Sequence, residues 1–220
     1  MALAVSNRDP MSADMKLGVI PTISPFLLPR VLPAINEKHP TLRLYLREEQ
    51  TEQLLSRLHA GEIDLALIAL PYDIEGLASR IILEDKFQFA CNVSHSLANN
   101  KTVALGALVN EPLMLLEEGH CLRGHALDAC QFHNIQIRAQ FEASSLHTLV
   151  QMVASGIGVT LLPKLAIDSR ITNGTSIKLV PLSNNASRQI GLVWRQSSLR
   201  SRDFEILGDT LENTVTSQRR

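Results

Sequence analysis

The sequence alternates short apolar runs with stretches of helical periodicity, and this alternation constrains the fold more than any other feature. Apolar runs at residues 16–20, 42–46 and 64–70 predict strands, and residues 25–38 and 51–60 between them predict helices. A second series starts near Phe87 and predicts strands at 87–93, 112–116, 137–143, 158–163 and 190–194, with helices from Cys121, at 146–154 and from 202 to about 215. Strands that alternate with helices are typical of a parallel sheet covered by helices, so the sequence predicts an α/β fold.

Two series of this kind in 220 residues predict two α/β units of similar build. The first is expected to comprise residues 16–86 and 189–220, so that the last strand and helix return to it, and the second residues 87–188. Small ligands bind in the clefts of open sheets, which makes a cleft between the units the expected binding site. Residues 1–15 are polar and contain Pro10, and they are expected to be a linker or an expression remnant.

The charge balance and the length of the apolar runs exclude several classes of protein. A total of 21 Lys and Arg residues against 22 Asp and Glu residues gives a net charge of −1, so no basic field is present that would hold nucleic acid. No run approaches the roughly 18 apolar residues of a membrane span, and the start MALAVSNRDP is too short in apolar residues for a signal peptide. A cytoplasmic location is therefore expected, where the 3 cysteines would not form a static disulfide framework.

Two of the cysteines, Cys121 and Cys130, lie nine residues apart in the segment GHCLRGHALDAC. Apolar residues recur here at helical spacing and predict a helix that begins near Cys121, with one face formed by Leu122, Ala126, Leu127 and Cys130. Nine residues of helix rise about 13 Å, whereas a disulfide needs its two Cα atoms within about 7 Å. The pair can therefore form a disulfide only if the helix unfolds locally.

The two thiols are expected to differ in reactivity. Unpaired backbone N–H groups and the helix dipole in the first turn favour a thiolate at Cys121, and His120 and Arg123 are expected to add to this preference. Cys130, in the apolar stripe, is expected to be small and buried. This combination fits a redox switch in which a sulfenic acid forms on Cys121 and is captured by Cys130.

Two alternative roles for the cysteines remain open. Cysteines are often small core residues, and this is the expected role of Cys91 in the predicted strand FQFACNV. Zinc binding is the second, because the cysteine segment offers enough nitrogen and sulfur ligands, namely His120, Cys121, His125, Cys130 and His133. Their spacing lacks the CxxC and HxxxH pairs that gather four ligands around one ion, so no metal site is predicted.

The order of motifs resembles a known family of regulators. The segment LGVIPTISPFLLPRVLPAINEKHPTLRLYLREEQTEQLLSRLHAGEIDLALIAL resembles the start of the effector domain of LysR-type transcriptional regulators, and VASGIGVTLLP is similar to its second half. The resemblance covers residues 16 to 202 and implies a periplasmic-binding-protein-like fold, in which two Rossmann-like subdomains are joined by two crossovers near Asp85 and Arg188. It also implies a dimeric or tetrameric regulator that binds DNA through an N-terminal winged helix-turn-helix domain, which residues 1–15 are too short to form.

Within this family, the cysteine motif is similar to that of the peroxide-sensing regulators. The resemblance implies that Cys121 is the peroxidatic cysteine, that Cys130 is the resolving cysteine, and that a thiol reductant such as glutaredoxin restores the pair. It implies no cofactor, and it assigns four polar side chains to hydrogen peroxide, namely Thr22, Thr51, His120 and Arg188. His125 departs from the pattern, since a polar or acidic residue is expected at its position, and its basicity could shift the thiol or attract a metal.

Simpler structural roles compete for the same side chains. Thr22 and Thr51 precede predicted helices and could be hydroxyl caps, whereas Arg188 could lie on the surface. Three functions remain open. The leading hypothesis is a regulatory domain that senses hydrogen peroxide and changes its subunit contacts. The alternatives are a metabolite-binding effector domain with incidental cysteines and a thiol peroxidase, which would be an enzyme.

Overall fold

The chain forms two compact units in the computed structural model, which describes residues 10–109, 111–129 and 142–217. Unit 1 contains the chain up to Leu83 together with the residues from Gln189 onwards, and unit 2 contains residues 84–188. Both changes of unit occur inside strands, because β4 (Leu77–Asn92) runs from unit 1 into unit 2 and β9 (Ser187–Arg195) runs back. The sequence places the first change three residues later, after residue 86, and the second at the same residue, 188.

Unit 1 begins with alternating strands and helices, namely β1 (Asp14–Val19), α1 (Ser24–Lys38), β2 (Arg43–Glu48), α2 (Thr51–His59) and β3 (Leu65–Leu70). Strand β1 pairs in parallel with β2 and β3, with Leu17 opposite Leu46 and Leu65. Strand β9 is antiparallel to β3, and α6 (Ser201–Ser217) closes the unit. All six residues of β3 are buried, as expected of a central strand that is covered on both faces.

Arg80 ties β4 to α6 within unit 1. Its Nη1 donates to the carbonyl and the carboxylate of Glu205, at 2.8 and 3.0 Å. Its Nη2 donates to Asp209 at 2.7 Å and to Glu212 at 2.9 Å. A Cβ at Gly208 would lie 2.9 Å from Cδ of Arg80, so the absence of a side chain at Gly208 makes room for the arginine stem. One arginine thus forms ion pairs with three carboxylates on one helix.

Unit 2 is built around the second half of β4, which pairs antiparallel with β7 (Thr160–Pro163) and β8 (Ile177–Pro181). The short strands β5 (Leu115–Leu116) and β6 (Glu142–Ala143) form a separate parallel pair. The helices are α3 (Cys121–Ala129), α4 (Leu146–Ala154) and α5 (Lys164–Asp168), with a 3₁₀ turn at Leu105–Leu108. Gly158 precedes β7, where a Cβ would lie only 2.4 Å from the Pro112 carbonyl oxygen.

The structure confirms the α/β fold and most of the predicted elements. Helix α4 begins and ends at the predicted residues 146 and 154, and α3 begins at Cys121. The predicted strand at 137–143 is described only at its end, as β6, because residues 137–141 lie outside the described residues. The sequence does not predict the first half of β4, β8 or α5. In the part of the chain that the structure describes, no helix combines the length and the apolar character of a membrane span.

The prediction that residues 1–15 are a linker is wrong for the described residues 10–15. Strand β1 begins at Asp14, two residues before the predicted strand, and it pairs with β2 from its first residue. Met11 and Ala13 are buried, and the backbone N–H of Met11 donates to Asp203 at the start of α6 at 3.4 Å. Because two apolar side chains pack into unit 1 before the strand begins, this short segment belongs to the fold.

Candidate functional site

Helix α3 begins at Cys121 because the residues before it turn the chain. The backbone N–H of Glu117, just after β5, donates to the Ala143 carbonyl at 3.0 Å. Gly119 then adopts a φ of 92°, in the left-handed region that favours glycine. The His120 carbonyl accepts the N–H of Arg123 at 2.9 Å. Cys121 is therefore the first residue of the helix, as the sequence predicts, where unpaired N–H groups and the helix dipole favour negative charge.

The two described cysteines have different surroundings. Both are thiols, and Cys121 is partly exposed, whereas Cys91 in β4 is buried. Burial raises the pKa of the Cys91 thiol, and the negative charge of Glu111 adds to this shift. Cys91 is thus a core residue, as predicted, while Cys121 is accessible to a small oxidant. Cys130, the predicted resolving cysteine, lies outside the described residues.

Two basic side chains flank Cys121 in sequence, and one of them is already compensated. Arg123 donates through Nη1 to the Glu142 carboxylate at 2.7 Å and to the Leu116 carbonyl at 3.1 Å. Because its charge is paired with Glu142, Arg123 contributes less to a thiolate at Cys121 than the sequence suggests. His120 is buried, with Nε2 at 3.8 Å from the Glu117 carboxylate. Among the described residues, His120 is the basic residue next to Cys121 in the sequence.

The inner face of α3 is apolar, as the spacing predicts. Leu122 and Ala126 are buried, and Leu127 is half-buried. His125 is also buried, although the sequence alone does not indicate this. It lies four residues after Cys121, so that both side chains project from neighbouring positions on the helix surface.

The two predicted threonines belong to unit 1 and follow neighbouring parallel strands. Thr22 comes after β1, Thr51 is the first residue of α2 after β2, and both are buried. The helix-cap alternative is wrong for both, because Ile23 and Gln50 occupy the N-cap positions of α1 and α2. The hydroxyl oxygen of Thr51 is buried without a hydrogen-bond partner among the described residues. A buried polar atom of this kind is uncommon, and a small polar ligand would satisfy it.

Arg188 lies in unit 2 at the start of β9, and its side chain is completely buried. The alternative that it lies on the surface is therefore wrong. Its Nε donates to Oδ2 of Asp85 in β4 at 3.0 Å, and Asp85 is 1% exposed. The other carboxylate oxygen of Asp85 accepts the backbone N–H of Leu165 at 2.8 Å. Sequence reasoning did not select Asp85 as a functional residue, because an acidic residue within IILEDKFQF gives no local sign that it is buried and paired.

The structure brings His120 and Cys121 together at the start of α3 and pairs Arg188 with Asp85, all within unit 2. Thr22 and Thr51 lie at one edge of the sheet of unit 1. Within the described ranges, no group of three or more His, Cys, Asp or Glu side chains could hold a metal ion. Two of the five candidate zinc ligands, Cys130 and His133, lie outside those ranges.

Two α/β units that are joined by two strands have the architecture of the periplasmic-binding-protein-like class. The sequence model of the LysR substrate binding domain family matches residues 8–215 of the chain. The chain belongs to this family.

Relatives within the family are regulators. The chain is 42% identical over 223 residues to the probable hydrogen peroxide-inducible genes activator of Mycobacterium avium, and the match covers 99% of the chain and 70% of that protein. It is 38% identical over 218 residues to the HTH-type transcriptional regulator EstR of Acinetobacter baylyi, covering 99% of the chain and 72% of that protein. The reduced form of the regulatory domain of OxyR2 from Vibrio vulnificus superposes with a TM-score of 0.87 at 40% identity, covering 94% of this chain and 98% of that one.

Proposed function

We propose that this chain is the peroxide-sensing regulatory domain of a LysR-type transcription factor. The observation that carries the proposal is the position of Cys121, partly exposed at the first residue of α3 and directly after the buried His120. Similarity to a hydrogen peroxide-inducible genes activator and to the reduced OxyR2 regulatory domain supports the same assignment.

The proposed chemistry has two steps. The Cys121 thiolate attacks one oxygen of hydrogen peroxide, the O–O bond breaks, and a sulfenic acid and hydroxide form. The Cys130 thiol then attacks the sulfenic sulfur, which forms the disulfide and releases water. Hydrogen peroxide is reduced and the two thiols are oxidised, so a thiol reductant such as glutaredoxin must restore the dithiol.

Four further side chains are proposed to bind peroxide. His120 is adjacent to the thiol in sequence and buried, and Arg188 is a buried cation whose charge persists at any physiological pH. Thr22 and Thr51 are proposed to bind its oxygens, and the unsatisfied hydroxyl of Thr51 supports this role. No metal or cofactor takes part in the proposed reaction.

The proposed output is a change of shape in α3 that alters contacts between subunits in a dimer or tetramer. DNA binding would belong to a separate N-terminal domain of the full-length regulator, and the protein would act in the cytoplasm. A two-state element of this kind couples a local bond to a distant surface. Oxidation would be stoichiometric, which separates the sensor from a thiol peroxidase.

Mass spectrometry after one equivalent of hydrogen peroxide tests the proposal. The wild-type chain should lose two hydrogen atoms, Cys130→Ser should gain one oxygen on Cys121, and Cys121→Ser should do neither. Cys91→Ser is the matched control and should behave as wild type, since Cys91 is buried. Sustained peroxide consumption with excess thiol would indicate the peroxidase instead. An unoxidised Cys121 in the wild-type chain would favour the metabolite-binding domain.

A further inference from the structure

The ion pair between Arg188 and Asp85 is unusual in its burial. The Arg188 side chain is 0% exposed and that of Asp85 is 1% exposed, with 3.0 Å between Nε and Oδ2. Removing two charges from water costs several kcal/mol for each ion, and their attraction often does no more than offset that cost. Stability alone therefore gives a weak reason for such a pair, and the fixed position of the guanidinium is a stronger one.

Asp85 is itself held at both carboxylate oxygens. Oδ1 accepts the N–H of Leu165 in α5 at 2.8 Å, while Oδ2 accepts Nε of Arg188. The strand segments on either side reinforce this geometry, because the Phe87 N–H donates to the Ala186 carbonyl at 2.8 Å. The backbone of α5 thus restrains the position of the Asp85 carboxylate, and this carboxylate restrains the position of the Arg188 guanidinium.

The pairing also decides which nitrogens of Arg188 can serve other acceptors. A guanidinium carries five N–H donors in one plane, and Asp85 takes the donor on Nε. This contact and the complete burial of the side chain together restrain the guanidinium and the donors on its two terminal nitrogens. A side chain that must present donors to a small substrate needs this kind of fixation.

We propose that Asp85 is a positioning residue of the peroxide reaction, acting through Arg188. The proposal rests on the function proposed above, in which Cys121 is oxidised and Arg188 binds peroxide. Without the carboxylate, the Nε donor of Arg188 loses its acceptor, and the guanidinium is less restrained. Oxidation of Cys121 then slows, although Asp85 does not react with peroxide itself.

The test compares two second-order rates of Cys121, with hydrogen peroxide and with iodoacetamide, which alkylates the thiolate without using peroxide-binding groups. Asp85→Asn keeps the shape and an acceptor for Leu165 but removes the charge. It should lower the peroxide rate at least about tenfold, while the alkylation rate changes less than about threefold. Glu84→Gln is the matched control, because the neighbouring Glu84 carboxylate accepts from the Ser187 hydroxyl and not from the Arg188 Nε, and its peroxide rate should stay within about twofold.

A double-mutant cycle separates positioning from a general structural effect. Arg188→Lys should slow peroxide oxidation, and Asp85→Asn in that background should add less than about threefold, since both changes remove the same fixed guanidinium. If Asp85→Asn does not fold by circular dichroism, Asp85→Glu retains the charge and should give an intermediate peroxide rate. A wild-type peroxide rate in Asp85→Asn, a parallel fall of both rates, or additive losses in the cycle would overturn the inference and leave the proposed function standing. A wild-type chain whose Cys121 resists peroxide would overturn both.

Discussion

Formation of the Cys121–Cys130 disulfide should unwind part of α3, and the structure sets the minimum extent. The helix holds residues 121–129, so the Cα atoms of Cys121 and Ala129 are about 12 Å apart by rise alone. One further residue can shorten this distance by at most about 3.8 Å. The Cα atoms of the two cysteines are then at least about 8 Å apart while α3 is intact, beyond the roughly 7 Å that a disulfide permits.

The free-energy cost of unwinding α3 depends on the apolar side chains that the helix buries. Leu122 and Ala126 are 3% and 2% exposed, and exposing a buried leucine side chain costs about 1.5–3 kcal/mol. Each 1.4 kcal/mol corresponds to a factor of about ten in an equilibrium. Amide exchange within α3 should therefore accelerate by roughly 10- to 100-fold on oxidation.

Hydrogen exchange followed by mass spectrometry measures this effect on peptides that span residues 122–129. Strand β3, which is fully buried in unit 1, provides the internal reference and should exchange equally slowly in both states. The peroxide-treated Cys130→Ser variant should keep α3 protected, because its sulfenic acid imposes no cross-link. If exchange across α3 is unchanged while mass analysis confirms the disulfide, the geometric argument for unwinding is wrong.

Three further predictions concern reactivity and stability. Iodoacetamide should label Cys121 well before Cys91 at neutral pH, because burial raises the pKa of the Cys91 thiol and keeps that thiol protonated. Labelling of Cys91 should rise only at a pH above the usual thiol pKa. Equal labelling rates of the two cysteines by peptide mapping would contradict this prediction. Arg80→Ala should lower the free energy of unfolding in urea by about 1–2 kcal/mol, because three carboxylates of α6 lose their partner. The loss should be smaller at 1 M salt than at low salt, since salt screens the charges. An equal loss at low and high salt would refute the charge argument. Gly158→Ala should cost about 1–3 kcal/mol by overpacking, because its Cβ meets a backbone oxygen at 2.4 Å, whereas Gly106→Ala, with open space around it, should be nearly neutral.

Most of the fold could be predicted because its signals are local. Strand β3 is a continuous apolar run and α4 has strong helical periodicity, so the type of each element and the approximate positions of its two ends follow from the sequence. The first half of β4 could not be predicted in the same way. Buried and exposed residues follow one another there without a clean period of two, because Ile82 and Leu83 are both buried and Ile81 before them is exposed.

The part of the candidate site that lies in one sequence motif could be predicted. The part that depends on contacts between residues far apart in the sequence could not. Cys121 and His120 stand in one recognisable segment, and the helix start is indicated by the same residues. The burial of Asp85 depends on Arg188, which lies 103 residues further along the chain. At Thr51 the prediction of a helix cap is off by one position, since local propensity does not fix a helix boundary to a single residue.

The proposed switch requires an α3 that is stable in the reduced state and weak enough to unwind on oxidation. Nine residues make a short helix, and Gly124 in its middle is exposed, with no neighbour within 4 Å of an added Cβ. Replacing glycine with alanine in a helix interior stabilises it by about 0.5–1 kcal/mol. Because this gain is confined to the helical, reduced state, Gly124→Ala should raise the reduction potential of the pair by about 10–20 mV. Equilibration with thiol–disulfide buffers measures the shift, with Gly106→Ala, which lies outside α3, as the control. A potential that stays the same or falls would show that oxidation does not unwind the helix around Gly124.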